Sequence, residues 1–337
     1  MKRREFITLL GGTAAAWPLT ANAQQSKMPV LGFLCSASAA GYASNVAALG
    51  KGLNEAGYVE KRNLLVEYRW ADFHYDRLPA LAADLVRHPV DVIFTTGSVV
   101  SALAAKSATA NIPIVFTNGS DPVQHGLVAS LNRPGGNVTG INFINSQLGP
   151  KRIQLLMQLN PETAAIAVLV NPKNPNASDV KVFEVASRTI GVKIIVLNAS
   201  TEPELKEAFG QAVQQRADAL LVHVDALFND HVQQIIALAD QHALPTMAAN
   251  PQFTALGGLV SYGADTYDLI RQAGIYVGRI LRGEKPADLP VIQPTRFALQ
   301  VNLKTARLVN SGTVPAARRR GDRVKVPGKL GQVRSAW

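Results

Sequence analysis

The chain has 337 residues, 47% of them hydrophobic, with one cysteine and a formal net charge of +10. The lone Cys35 excludes an intrachain disulfide and any cysteine-based metal or redox centre, and it reads as a small buried apolar residue at a strand end. The charge is no footprint of a nucleic-acid binder: residues 1–23 carry +2 and residues 308–337 carry +6, which leaves only +2 on residues 24–307.

The first residues, Met1 to Arg4, form a short positive segment, followed by a nearly uncharged stretch from Phe6 to Leu19. Ala21-Asn22-Ala23 then offers a small-x-small cleavage site. These are the parts of an export signal, so residues 1–23 are expected to be a signal peptide and the body periplasmic. Arg3-Arg4 leaves both the twin-arginine and the general secretory route open. The apolar stretch is shorter than the ~20 residues that span a bilayer, and Pro18 breaks it.

Beyond the signal, β-rich runs alternate with helical ones. Strands are expected at 30–34, 64–69, 90–95 and 112–117, with helices at 45–56, 76–86 and 98–108 between them. The pattern restarts after Pro134-Gly135-Gly136-Asn137-Val138. Helices are expected at 147–159, 176–190, 202–215 and 230–242, and strands at 165–170, 192–197, 219–224 and 245–248. A strand at 258–262, a helix at 266–281 and a strand at 297–301 are too few for a third domain and are expected to complete the first two. Alternation of this kind means parallel βαβ units. The expected fold is α/β, with two Rossmann-like doubly wound lobes around a cleft. Lobe 1 is expected to comprise 24–142 and 262–290, and lobe 2 to comprise 143–261 and 291–307.

Ligands of doubly wound sheets bind beyond the carboxyl ends of the strands, so the strand exits hold the candidates. The first exit carries Ser36 and Ser38, as ligand contacts or as ordinary turn residues. The third runs Thr96-Gly97-Ser98 straight into a helix. Backbone N–H groups at that helix start make a seat for a carboxylate, and the hydroxyls add donors. The fourth carries Asn118 and Asp121, the latter also readable as a cap. In the second lobe Asn171 and Asp225 stand at exits. Asp225 suits an ammonium group, or is a solvent-exposed loop acid. Asn142, Asn250, Phe253 and Tyr262 complete the set. His223-x-Asp225 lacks a third partner, so no metal site is expected. No Gly-x-Gly-x-x-Gly follows a strand, there is no Walker-A sequence and no Gly-x-Ser-x-Gly elbow, and no catalytic residues or cofactor are assigned.

Several longer runs carry a resemblance: Gly52-Leu53-Asn54-Glu55-Ala56-Gly57-Tyr58-Val59-Glu60, Glu67-Tyr68-Arg69-Trp70-Ala71, Ser120-Asp121-Pro122-Val123, Arg133-Pro134-Gly135-Gly136-Asn137-Val138-Thr139-Gly140 and Gly257-Gly258-Leu259-Val260-Ser261-Tyr262-Gly263. Over roughly 28–307 the chain resembles the ABC-transporter substrate-binding family related to tryptophan/tyrosine-type binding proteins. The resemblance implies a type I periplasmic binding fold with three crossover segments. It implies a protein that captures a small-molecule solute, such as an amino acid or aromatic carboxylate, and delivers it to an ABC permease and its ATPase; a monomer is expected. It would place the ligand carboxylate near Thr96, Gly97 and Ser98, and the amine near Asp225. The chain departs from the family pattern after Ala306. Its basic tail, 308–337, is either a natural extension or a shifted reading frame, and disorder is expected there. A periplasmic sensor or an enzyme on the same fold are the alternatives. A transcription regulator would need a helix-turn-helix where the export signal stands.

Overall fold

The computed structural model describes residues 28–174 and 180–310; the expected signal peptide and most of the basic tail lie outside the described residues. The first sheet is built from β1 (Val30–Cys35), β2 (Leu65–Trp70), β3 (Val92–Thr96), β4 (Ile114–Asn118) and β5 (Val138–Asn142), in the order β2-β1-β3-β4-β5 and parallel throughout. Four of these strands are buried along their whole length, as continuous apolar runs of a two-sided sheet should be. One face is covered by α1 (Ala43–Glu55), the other by α2 (Leu78–Arg87) and α3 (Val99–Ala108).

The second sheet contains β6 (Ala165–Val170), β7 (Lys193–Asn198), β8 (Ala219–Val222), β9 (Thr246–Ala248), β10 (Val260–Gly263) and β11 (Ala298–Val301). Its order is β11-β10-β9-β8-β6-β7, and only the β10–β11 pair is antiparallel. Helices α4 (Gly149–Leu159) and α5 (Val180–Ile190) pack on one face. Helices α6 (Glu202–Gln214), α7 (Ala226–Asp230) and α8 (Val232–Gln241) cover the other. The short α9 (Gln252–Ala255) leads into β10. Among the described residues no helix is long and apolar enough to cross a membrane.

The chain passes between the lobes three times. It crosses after β5, returns after β10 as α10 (Thr266–Leu281), and crosses again before β11 and the closing α11 (Leu303–Asn310). Helix α10 belongs to the first lobe because small residues let it lie directly against α1. A Cβ at Gly52 would fall on the Arg271 carbonyl, and one at Gly274 on the Leu49 carbonyl. The segment after α10 stays with that lobe through Ile292, whose N–H bonds the Gly140 carbonyl at 3.0 Å. Tyr262 and Gly263 sit on the second sheet. The crossovers therefore fall about two residues later than the sequence boundaries at 262 and 291.

Candidate functional site

All parallel strands of both sheets point their carboxyl ends at the gap between the lobes, and a cleft of about 840 Å³, continuous with solvent, opens there. The first lobe lines it with Tyr42, Asn45, Thr96, Gly97, Thr117 and Asn118. The second contributes His223, Asn229, Asn250 and Gln252. The first crossover adds Phe143 and Asn145. Among the described residues none that lines the cleft carries a formal charge.

Unpaired polarity gathers in and just behind the first-lobe wall: Asn118 lines the cleft, whereas Ser36 and Ser98 lie buried behind Thr96 and Gly97 and are not among the lining residues. Ser98 stands at the N-cap of α3 in extended conformation, yet its hydroxyl caps nothing. The hydroxyls of Ser36 and Ser98 and both amide atoms of Asn118 are buried with no hydrogen-bond partner among the described residues. Each such group costs about 1–3 kcal/mol unless something bonds to it. Gly97, at φ +89°, passes so close to Ser36 that a Cβ would strike the Ser36 hydroxyl. Thr117 and Thr96 are joined by a hydroxyl–hydroxyl bond of 2.8 Å beside them. The N-terminus of a ten-residue helix faces this cluster, adding free N–H groups and the positive end of its dipole.

The other sequence candidates divide by position. Asn250 lines the cleft and caps the turn into α9, its Oδ1 accepting from Gln252 N at 2.9 Å. Asp225 does not line it. It is 2% exposed and N-caps α7 through Leu227 N, so the loop-acid alternative is wrong for a physical reason: its oxygens are needed inside. Burial pushes its carboxyl up from the usual range, against the pull of its hydrogen-bond donors. Asn171, also buried, holds Asp225 Oδ1 at 3.2 Å. Ser38 reaches across the gap to Asp230 Oδ2 at 3.1 Å. Asp121 takes its capping role, accepting from Val123 N and Gln124 N. Asn142 closes a turn to Ile144 N in the first crossover, Phe253 is core of the second lobe, and Tyr262 packs on Phe297. These three are not among the cleft-lining residues.

Sequence reasoning missed Tyr42, Asn145 and Arg152, and it read His223 only as half of a metal pair. His223 keeps an edge toward the cleft, while Phe183 stands edge-on to its ring. Burial and the neighbouring Arg152 push its imidazole down to about 4, so it is neutral at physiological pH. Among the described residues no group of three or more His, Cys, Asp or Glu stands close enough to hold a metal. Cys35 is buried, and that burial pushes its thiol far up.

Comparison with known proteins gives this geometry a lineage. The Tyrosine-binding protein of Clostridioides difficile is 28% identical over 261 residues, 77% of this chain and 74% of the relative. A conserved domain protein from Vibrio cholerae superposes with a TM-score of 0.77 at 27% identity, covering 86% of this chain and 97% of that one. The ABC domain from Streptococcus pneumonia in complex with L-Trp superposes at 0.73 with 22% identity, over 83% and 94% of the two chains, a likeness of fold. Residues 20–310 match the sequence profile described as ABC transporter substrate binding protein, so the chain belongs to that family, one of substrate-binding proteins with the two-lobed type I periplasmic fold.

Proposed function

We propose that this protein is the periplasmic capture component of an ABC importer, and that it binds a small organic carboxylate, an amino acid or an aromatic acid, by closure of its two lobes. The observation that carries the reading is the pair of unpartnered buried hydroxyls of Ser36 and Ser98 at the α3 N-terminus, together with the unpartnered Asn118 amide in the cleft wall at the end of β4. A carboxylate seated there accepts from the Ser98 and Ser36 hydroxyls and from helix N–H groups, and so offsets the cost of burying them. The names of the relatives support the ligand class: one is a Tyrosine-binding protein, and another of the same fold holds L-Trp. Closure about three crossovers then encloses the solute, and the closed lobes present it to a permease driven by its ATPase.

Binding to the folded state alone raises stability by about 2.7 kcal/mol at a ligand concentration of a hundred Kd. A thermal-shift screen of amino acids and small carboxylates is therefore expected to raise the melting temperature by several degrees for at least one acid. The double substitution Ser36→Ala with Ser98→Ala is expected to weaken that acid by about tenfold or more. A broad screen without a single shift overturns the reading.

A further inference from the structure

With no charged residue in its lining, the cleft is governed by the buried charges behind its walls, and there are two close by. They are held in opposite conditions. Asp225 takes four donors: Tyr75 Oη at 3.1 Å, Asn174 Nδ2 at 2.6 Å, Asn171 Nδ2 at 3.2 Å and Leu227 N at 2.8 Å. A carboxylate has about four lone-pair sites, so an arriving ammonium group would have to displace a bond already made. Tyr75 comes from the opposite lobe, so the bond displaced would be one that holds the lobes together.

Arg152 is the reverse case. It is 3% exposed, and no carboxylate pairs with it among the described residues. Its guanidinium donates to the Tyr262 carbonyl at 2.9 Å, to the Asn145 carbonyl at 3.0 Å and to Asn145 Oδ1 at 3.0 Å. The last bond fixes the Asn145 amide, because a flip would set N–H against N–H. Oδ1 is turned to the arginine, and Nδ2 is left on the side of Gly119 and the cleft. Asn118, beside it, has no partner for its own amide. Asn250 spends its oxygen on Gln252 N and keeps its Nδ2 free to donate. The Nδ2 groups of Asn145 and Asn250, and the Asn118 amide, whose Nδ2 and Oδ1 are both unpartnered, therefore stand in front of an uncompensated buried cation, an arrangement that stabilises an anion. That the cation is felt in the wall is evident at His223, which burial and Arg152 together hold neutral.

We infer that the cleft selects organic carboxylates that lack an ammonium group over the matching amino acids, with Arg152, acting through Asn145, as the residue that positions the deciding donor. This rests on the carboxylate reading above and narrows it. The test is isothermal titration of the full chain with matched pairs: hydrocinnamate against L-phenylalanine, isocaproate against L-leucine, succinate against L-aspartate. In any pair that binds, the amine-free acid is expected to bind about tenfold tighter or more. Equal or tighter binding of the amino acids overturns the inference and leaves the carboxylate reading standing. Binding by no member of any pair, nor by any acid of the wider screen, overturns both. Asn145→Asp keeps the contact to Arg152 but replaces a donor by an acceptor; it is expected to shrink the acid-over-amino-acid ratio by about tenfold, and Arg152→Gln to shrink it likewise. Because that ratio compares two ligands on one variant, a merely destabilised fold does not change it. An unchanged ratio in Asn145→Asp removes Arg152 and Asn145 from the role.

Discussion

His223 shows what one side chain near the cleft does to the whole molecule's response to pH. Its imidazole titrates near 4 in the folded protein, held down first by burial and then by Arg152, whereas in the unfolded chain it titrates near its ordinary 6.5. Between those values the unfolded state binds a proton that the folded state refuses. Stability from this group is therefore present above about pH 6.5 and is lost as pH falls toward 4, by at most about 3 kcal/mol. Asp225 acts in the other direction, since its raised carboxyl favours the folded state at the acid end. Thermal melts across that window are expected to show a flatter decline in His223→Gln than in the parent protein; identical declines would refute the assignment. Cys35 gives a simpler test. Its buried thiol, pushed far above the usual range, is expected to ignore a thiol reagent at mildly alkaline pH until denaturant is added.

At the scale of elements, the contact between α1 and α10 decides whether the first lobe forms as drawn. Gly52 and Gly274 meet backbone, not flexible side chains, so neither position can absorb a Cβ by repacking. Gly274→Val is expected to cost about 2 kcal/mol or more, read as a fall in melting temperature, while Gly50→Ala, with open space around it, serves as the mild control. The sequence carried most of the fold because its strands are long apolar runs and its helices span several turns. It did not carry β5, because Val138-Thr139-Gly140-Ile141-Asn142 follows a Pro-Gly-Gly loop and reads as a linker. The structure needs Gly140 there because a Cβ would strike Phe116. The lobe boundary between 142 and 143 was nonetheless expected, but without β5 as the last strand of the first sheet its exit into Phe143 and Asn145 did not read as a strand end. The strand-exit rule named Thr96, Gly97 and Asn118, and these line the cleft, since those exits are set locally by strand and turn; Asn250, named only as a neighbour of Asp225, lines it too. Arg152 was not legible: a basic residue in an amphipathic helix reads as solvent-facing, and only tertiary packing brings it under Asn145 and Tyr262.

For the whole molecule, three side-chain bonds that span the gap among the described residues bear on how closed it stands. Ser38 donates to Asp230, Tyr75 to Asp225 and Tyr267 to Gln252, each donor from the first lobe and each acceptor from the second. Phe73 adds an apolar contact, packing against the cores of both lobes. Only the Tyr75 bond ends on a fully buried acceptor, so it is the one that water replaces least well. Removing its hydroxyl leaves Asp225 one donor short, at a cost of about 1–2 kcal/mol that falls on the closed form alone. Opening lets water reach the carboxylate and recover the loss. A bias of that size moves a two-state equilibrium roughly tenfold toward the open form. Tyr75→Phe is therefore expected to show a larger radius of gyration than the parent in small-angle scattering without ligand, and to return to the parent value when a saturating acid closes the lobes. It should also bind that acid more weakly, by the same factor that measures the lost closure. A variant with the parent's scattering curve and the parent's affinity would show that the lobes are held by their crossovers and the Ser38 and Tyr267 bonds, and that Asp225 serves only to cap α7.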